Sequence, residues 1–388
     1  MEKDLIRQEE RAHAKYAPSG SMAWLFCAFC AYHIGNYKAD KKSEDNTAAI
    51  TGTLMHELAE LCFRYNEYMG DEERKEELAD CTNRIRTITG TLGEEKTEQV
   101  RNYCQFVMEE GKSHEILVEQ RVSMEKYHID CWGTADVVIY DEENECLKII
   151  DLKTGWNSVE PDSPQLALYA LGAMDTLFSD KKITKVETII YQTTEREPIK
   201  RKTWLMDEIA SFAEVVKQAN EINKNIDNLT EDEAQKLASP YPTRCQYCPK
   251  RPICEAMKKA CMKYIEALTA GNPHAEEFSI AIQWMPFITK QEEAFKDKAL
   301  DFYKSEGGIP GCKIKSGGCY QRMPSDEKSQ RKIIDVLVNM GYKKEDICTE
   351  KTKGKAEMFK VIGDDKEAIA AINPYMNYVN VREKVVSE

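Results

Sequence analysis

Between Ile116 and Ile226 the apolar positions change period several times, and each change delimits an element. Ile116–Val122 reads as a first strand. Val137–Tyr140 and Leu147–Ile150 are short aliphatic runs separated by Asp141-Glu142-Glu143-Asn144, which predicts an antiparallel hairpin. Pro164–Phe178 places Leu166, Ala170 and Met174 at fourfold spacing, the core face of a helix. Val186–Tyr191 and Thr203–Leu205 follow as strands, and Met206–Ile226 as a helix. Upstream, Leu54, Leu58, Leu61 and Cys62 form a helical stripe that Thr53 could cap. Residues 66–114 are polar and helical in pattern, with Val100, Cys104, Val107 and Met108 on one apolar face. A central sheet with a crossing helix and flanking helices is an α/β core.

The chain beyond this core has a different texture. Glu276–Glu306 predicts a long helix stopped by Gly307-Gly308 and Ile309-Pro310-Gly311. A short strand pair from Cys312 to Met323, crossing Gly317-Gly318, and a helix from Asp326 to Met340 follow. The organisation is therefore a charged leader at 1–16, an α/β domain at 17–265 and a mainly helical α+β appendage at 275–388. The appendage carries no catalytic constellation.

At 388 residues and 42% hydrophobic content, the chain can bury a sizeable core. No apolar run approaches membrane length and the first residues are not signal-like, so a soluble cytoplasmic protein with no membrane partner is expected. The net charge of -13 excludes a uniformly basic nucleic-acid binder but not one with a local groove. Lys200-Arg201-Lys202, Lys250-Arg251 and Lys258-Lys259 are candidate phosphate contacts, and equally suit solvated surface. Fourteen cysteines in such a protein do not suggest a disulfide framework. Cys62, Cys104, Cys131 and Cys146 sit in apolar runs as core residues.

The chemistry centres on Gly133–Tyr169. Asp136 and Asp151 flank the hairpin strands and can converge at one end of the sheet. Lys153 lies two residues beyond Asp151, on the same strand face. Paired carboxylates suit Mg²⁺ or Mn²⁺, and the lysine supplies fixed positive charge for a phosphoryl group. Gln165 and Tyr169, four apart on one helix, can orient a substrate.

Gly-x-x-Asp, then Asp-Leu-Lys-Thr-Gly, then Gln-x-x-x-Tyr, in that order, resembles the RecB-like branch of the PD-(D/E)XK nuclease superfamily. The resemblance covers about residues 17–260 and implies a restriction-endonuclease-like core. Gly52-x-x-x-His56-x-x-x-Glu60 is similar to the upstream motif of that branch, whose histidine binds metal. The resemblance thus implies His56, Asp136, Asp151 and the carbonyl of Leu152 as ligands. Glu119 could approach this site, but as an acid on an edge strand it reads as surface.

A second cysteine set stands apart: Cys27 and Cys30 near the N-terminus, and Cys245, Cys248 and Cys254 in a proline-stiffened loop. Tetrathiolate centres are built this way, and spacing alone leaves open zinc on Cys27, Cys30, Cys245 and Cys248. Similarity to AddB-type nucleases implies instead a [4Fe-4S] cluster on Cys27, Cys245, Cys248 and Cys254, with Cys30 spare. The phage-encoded relatives share the Trp-x-x-Cys of Trp24–Cys27 and an Ile-Pro-Gly at the start of the tail.

The function implied is a metal-dependent DNA nuclease, an exonuclease, in phage or prophage recombination and repair, with phage single-strand annealing or recombination proteins as partners. Two alternatives stand beside it: a non-cleaving iron-sulfur accessory protein that binds DNA, and a nuclease acting on RNA.

Overall fold

The computed structural model describes residues 14–34, 47–246, 248, 250–315, 319–324, 326–348, 355–363, 365–380 and 384–387. Most of the leader, and Gly317-Gly318, lie outside them. The chain divides into two compact units, Met1–Trp284 and Met285–Glu388.

The first unit opens with α1 (Ser21–Trp24) and α2 (Ala28–Ile34), followed by α3 (Thr47–Tyr68) and α4 (Lys75–Glu110), which bends at Gly93. Strands β1 (Ile116–Ser123), β2 (Trp132–Asp141) and β3 (Cys146–Lys153) lead to α5 (Pro164–Thr176). Then come β4 (Lys185–Gln192), β5 (Ile199–Leu205) and α6 (Met206–Asn223). Helices α7 (Glu231–Lys236), α8 (Pro242–Cys245) and α9 (Glu255–Thr269) complete it, with the start of α10 (Ala275–Glu306). The division between units falls inside α10 beside Pro286, whereas the sequence pattern starts the appendage at 275.

The sheet is mixed, with order β1-β2-β3-β4-β5. The expected hairpin is β2–β3, antiparallel, with Val137 opposite Ile150 and Tyr140 opposite Leu147. β3 and β4 are parallel, which requires the crossover that α5 makes. β5 closes the far edge antiparallel to β4. One sheet face packs on α5, α6 and the α1–α2 segment, through Leu147, Ile149, Leu166, Ala170 and Val216. The other packs on α3 and α4, through Ile139, Ile150, Leu152, Leu58 and Val107. Burial on both faces accounts for the near-continuous apolar character of β3 and β4.

Two expectations are corrected here. Helix α3 extends back to Thr47, so Thr53 lies inside it; its hydroxyl donates to the Ala49 carbonyl (3.0 Å) instead of capping. Met108 is 49% exposed, although Val100, Cys104 and Val107 are buried as the stripe requires.

The second unit contains the end of α10, β6 (Cys312–Lys315), β7 (Cys319–Arg322), α11 (Glu327–Asn339), α12 (Lys344–Ile347), α13 (Lys355–Ile362), α14 (Lys366–Ile372), β8 (Asn377–Asn380) and β9 (Lys384–Ser387). Asp326 caps α11 by accepting from the Ser329 amide (2.7 Å). Ile333, Leu337, Ile347, Met358 and Ile372 form its core. The expected pairing of β6 with β7 is not found. β6 pairs with β9, and β7 with β8, because the terminal strands supply longer-range antiparallel partners that the pattern did not reveal.

Candidate metal site

The site forms where β1, β2, β3, α3, α4 and α5 meet. Asp136 accepts from the Leu152 amide (2.8 Å), which fixes its carboxylate across β3. His56 Nδ1, from α3, is 3.5 Å from Asp136 Oδ2. On β3, Lys153 Nζ is 2.7 Å from Asp151 Oδ2 and donates to Gln165 Oε1 (3.3 Å). Gln165 Nε2 in turn donates to Asp151 Oδ1 and to Tyr169 Oη, each at 3.4 Å. All of the sequence-derived residues, His56, Asp136, Asp151, Leu152, Lys153, Gln165 and Tyr169, are thus brought to one end of the sheet.

Two motif glycines are explained by close approach. A Cβ on Gly133 would lie 3.0 Å from the Tyr169 ring and from Pro18, so glycine lets α5 and the N-terminal segment seat on β2. A Cβ on Gly52 would meet Thr154 Oγ1 at 2.9 Å, where α3 passes over the Asp-Leu-Lys-Thr-Gly turn.

Glu119 is corrected from surface acid to site residue. It faces Asp136 across β1–β2 on a rung that does not bridge, and its φ of 50° is left-handed. Side-chain alternation slips by one residue at this rung on both strands. Val122 and Ala135 pack toward α5, as alternation from one side requires, whereas Val118 and Val137 pack toward α3 and α4. The slip turns Glu119 and Asp136 together toward α3. One donor atom from each of His56, Glu119 and Asp136 then falls within 4.8 Å of the others. A small cavity opens on these three residues, with Tyr103, Val118 and Leu152 in its wall.

The electrostatics suit a cation. Burial, then the neighbouring Asp151 charge, pushes the Asp136 carboxyl up from 3.8 to about 6, against the pull of His56 and Lys153. Burial would lower the Lys153 ammonium, but Asp151 and then Asp136 hold it above the ordinary lysine value. Burial raises the Tyr169 phenol, which stays protonated as a donor. Tyr103 Oη is buried with no hydrogen-bond partner among the described residues. One imidazole, two carboxylates and an orphaned phenol fit a hydrated divalent cation such as Mn²⁺ or Mg²⁺.

The second cysteine set also converges. Trp24 is buried against Tyr16 and His128 and donates to the Ala17 carbonyl (2.9 Å), which places the turn carrying Cys27. Arg244 donates to the Phe26 carbonyl (2.8 Å), and the Ser239 amide to Cys27 Sγ (3.4 Å), joining the distant loop to that turn. Cys27, Cys245, Cys248 and Cys254 are all buried. Cys30 lies among them, its Sγ 3.5 Å from Cys248 Sγ. Hydrogen bonding by Cys30 pulls Cys27 down to about 6 and Cys248 to about 7, against burial, while Cys30 itself is raised. Burial lifts Cys245 to about 11. Two thiols whose ionisation is favoured, within a group of five of which four are buried, fit a thiolate-bound centre.

Of the basic runs, Lys200-Arg201-Lys202 is engaged by acids. Lys200 pairs with Glu195 and Glu160, Arg201 with Glu110 and Glu187, and Lys202 with Glu208. Lys258 pairs with Glu255.

The fold and site define an α/β protein with a carboxylate, histidine and lysine centre at one end of a mixed sheet. Residues 13–387 match the family described as "Protein of unknown function (DUF2800)", and the chain belongs to that family. No solved structure matches. Among the described residues, no helix is long and apolar enough to cross a membrane.

Proposed function

We propose that the first unit is a metal-dependent DNA nuclease of the RecB-like PD-(D/E)XK kind, acting as an exonuclease in phage or prophage recombination within a bacterial cytoplasm. The observation that carries this reading is the Lys153–Asp151–Gln165–Tyr169 chain of contacts beside the His56, Glu119 and Asp136 group. A structural ion pair would not need an amide and a phenol from a neighbouring helix arranged around it.

His56, Glu119 and Asp136, with Asp151 and the Leu152 carbonyl as further candidates, would hold a divalent cation, which when bound would supply Lewis-acid polarisation of a phosphodiester. Lys153 places an ammonium where negative charge develops on the phosphoryl oxygens, and its partner Asp151 fixes its direction. Gln165 holds Lys153 and Asp151 in register with α5. Tyr169, protonated at neutral pH, donates to a non-bridging oxygen of the bound strand. We further propose a [4Fe-4S] cluster on Cys27, Cys245, Cys248 and Cys254, supported by the resemblance and by the burial of these four thiols.

The test uses anaerobically purified protein with labelled linear DNA and a covalently closed circle, in Mn²⁺ and in EDTA. Metal-dependent loss of the linear DNA alone is expected. Cutting of the circle would make it an endonuclease on the same site, and binding without cutting in any metal would overturn the nuclease reading.

A further inference from the structure

Away from the metal-binding rung, Arg121 and Trp132 form a second feature on β1–β2. The Arg121 guanidinium lies over the Trp132 ring, 3.9 Å from its centroid. Arg121 is opposite Thr134, and Ser123 opposite Trp132, in the β1–β2 register. Trp132, Thr134 and Asp136 alternate on one face of β2, and Arg121 and Glu119 on the same face of β1. The opposite face at this point is filled, since Gly133 abuts Pro18 and Tyr169, and Val122 and Ala135 are core. The stacked pair therefore shares the open face with Asp136, roughly 7 to 13 Å along the strands at about 3.3 Å per residue.

Its chemistry differs from that of the Lys200-Arg201-Lys202 run. Lys200, Arg201 and Lys202 are neutralised by carboxylates, whereas Arg121 is exposed and has neither an ion pair nor a hydrogen bond among the described residues. A stacked guanidinium spreads its charge over an aromatic plane and keeps its N–H edge free for a phosphate. Trp132 is half-buried, so its ring is held by the sheet while part of it stays accessible. A fixed indole beside an unneutralised guanidinium is what an unpaired nucleotide recognises: stacking for the base and charge for its phosphate.

We propose that Arg121 and Trp132 form a subsite for single-stranded DNA, holding the strand a short distance from the phosphodiester at the metal site. The inference rests on the nuclease reading for its biological sense, but binding tests it independently of cleavage. Oligothymidylate and a blunt duplex, each fluorescently labelled, are titrated in EDTA with the full-length protein and with Trp132→Ala, Trp132→Phe and Arg121→Ala.

Loss of one stacked base should weaken single-strand binding about five- to hundredfold in Trp132→Ala, with partial retention in Trp132→Phe. Arg121→Ala should lower the slope of log affinity against log salt by about 0.7, one phosphate contact on a single strand. Duplex affinity should change less. Unchanged single-strand affinity in both Ala variants would overturn the subsite while leaving any Mn²⁺-dependent cutting intact. Subsite-dependent binding without cutting in any metal would uphold the subsite and remove the nuclease. A parent protein that binds neither DNA would overturn the subsite too. If Trp132→Ala melts well below the parent, Trp132→Phe and Arg121→Ala decide the outcome.

Discussion

Glu119 stands directly across from Asp136, and theirs is the one rung between Ile116 and Ser123 where β1 and β2 do not bridge. A left-handed φ at a non-glycine residue costs on the order of 1–3 kcal/mol, which the packing of Val118 and Val137 on the α3 side sustains. Replacing Glu119 by Gly should therefore raise the stability of the metal-free protein by about 1 kcal/mol. The same change, like Glu119→Gln, should weaken Mn²⁺ binding by about tenfold or more. Calorimetric titration of chelator-stripped protein reads the affinity and urea melts the stability. Unaltered Mn²⁺ affinity in both variants would remove Glu119 from the site.

Asp136 gives a prediction in pH. Its carboxyl titrates at about 6 rather than 3.8, so between those values the folded chain holds a proton that the unfolded chain has released. The stability that this group allows the metal-free protein thus falls as pH rises across the interval and stays reduced above it. Asp136→Asn should be more stable than the parent at pH 8 by roughly 2–3 kcal/mol, and the difference should close near pH 4. Urea melts in EDTA at the two pH values measure it; equal stabilities at pH 8 would refute the raising of the Asp136 carboxyl by burial and by Asp151.

Lys153→Ala removes the partner of a carboxylate whose side chain is only 3% exposed. It should lower stability by about 3–5 kcal/mol, the cost of leaving the buried Asp151 carboxylate without its cation. Cleavage should fall by about a hundredfold or more while DNA binding persists. Single-turnover assays on linear DNA, beside melts of the same preparations, separate the two effects. Full activity in this variant would dismiss the site assignment.

The cysteines separate by role. Cys27→Ser should lose iron and visible absorbance together, whereas Cys30→Ser should keep both, since Cys30 only hydrogen-bonds with its neighbours Cys27 and Cys248. Anaerobic metal analysis decides this directly. Stoichiometric zinc in a colourless parent would replace the cluster with a zinc centre.

Most of the candidate site was legible because each residue sits on a regular repeat. Asp151 and Lys153 follow the strand's period of two, and Gln165 and Tyr169 the helix's near-fourfold period. Glu119 was not legible, because the slip that turns it inward occurs at the same rung on both strands and leaves no mark on register or composition. The ion pairs of Lys200-Arg201-Lys202 were not legible for another reason: a charge run does not disclose which carboxylates the fold will set beside it. The β6–β9 and β7–β8 pairings were hidden because strands of four residues separated by several helices carry little pattern of their own.

The link from Arg244 to the Phe26 carbonyl joins residues 218 positions apart and closes nearly the whole first unit into a single loop. During synthesis, the turn bearing Cys27 emerges long before its partners Ser239, Arg244 and Cys248. The turn can seat on the sheet and α5 through Trp24, Leu25 and Ala28 before its contacts with Ser239 and Arg244 exist. In the proposed cluster, Cys27 would stay unligated until the chain has grown past Cys254, so loading of that centre would be a late event tied to the completion of the loop.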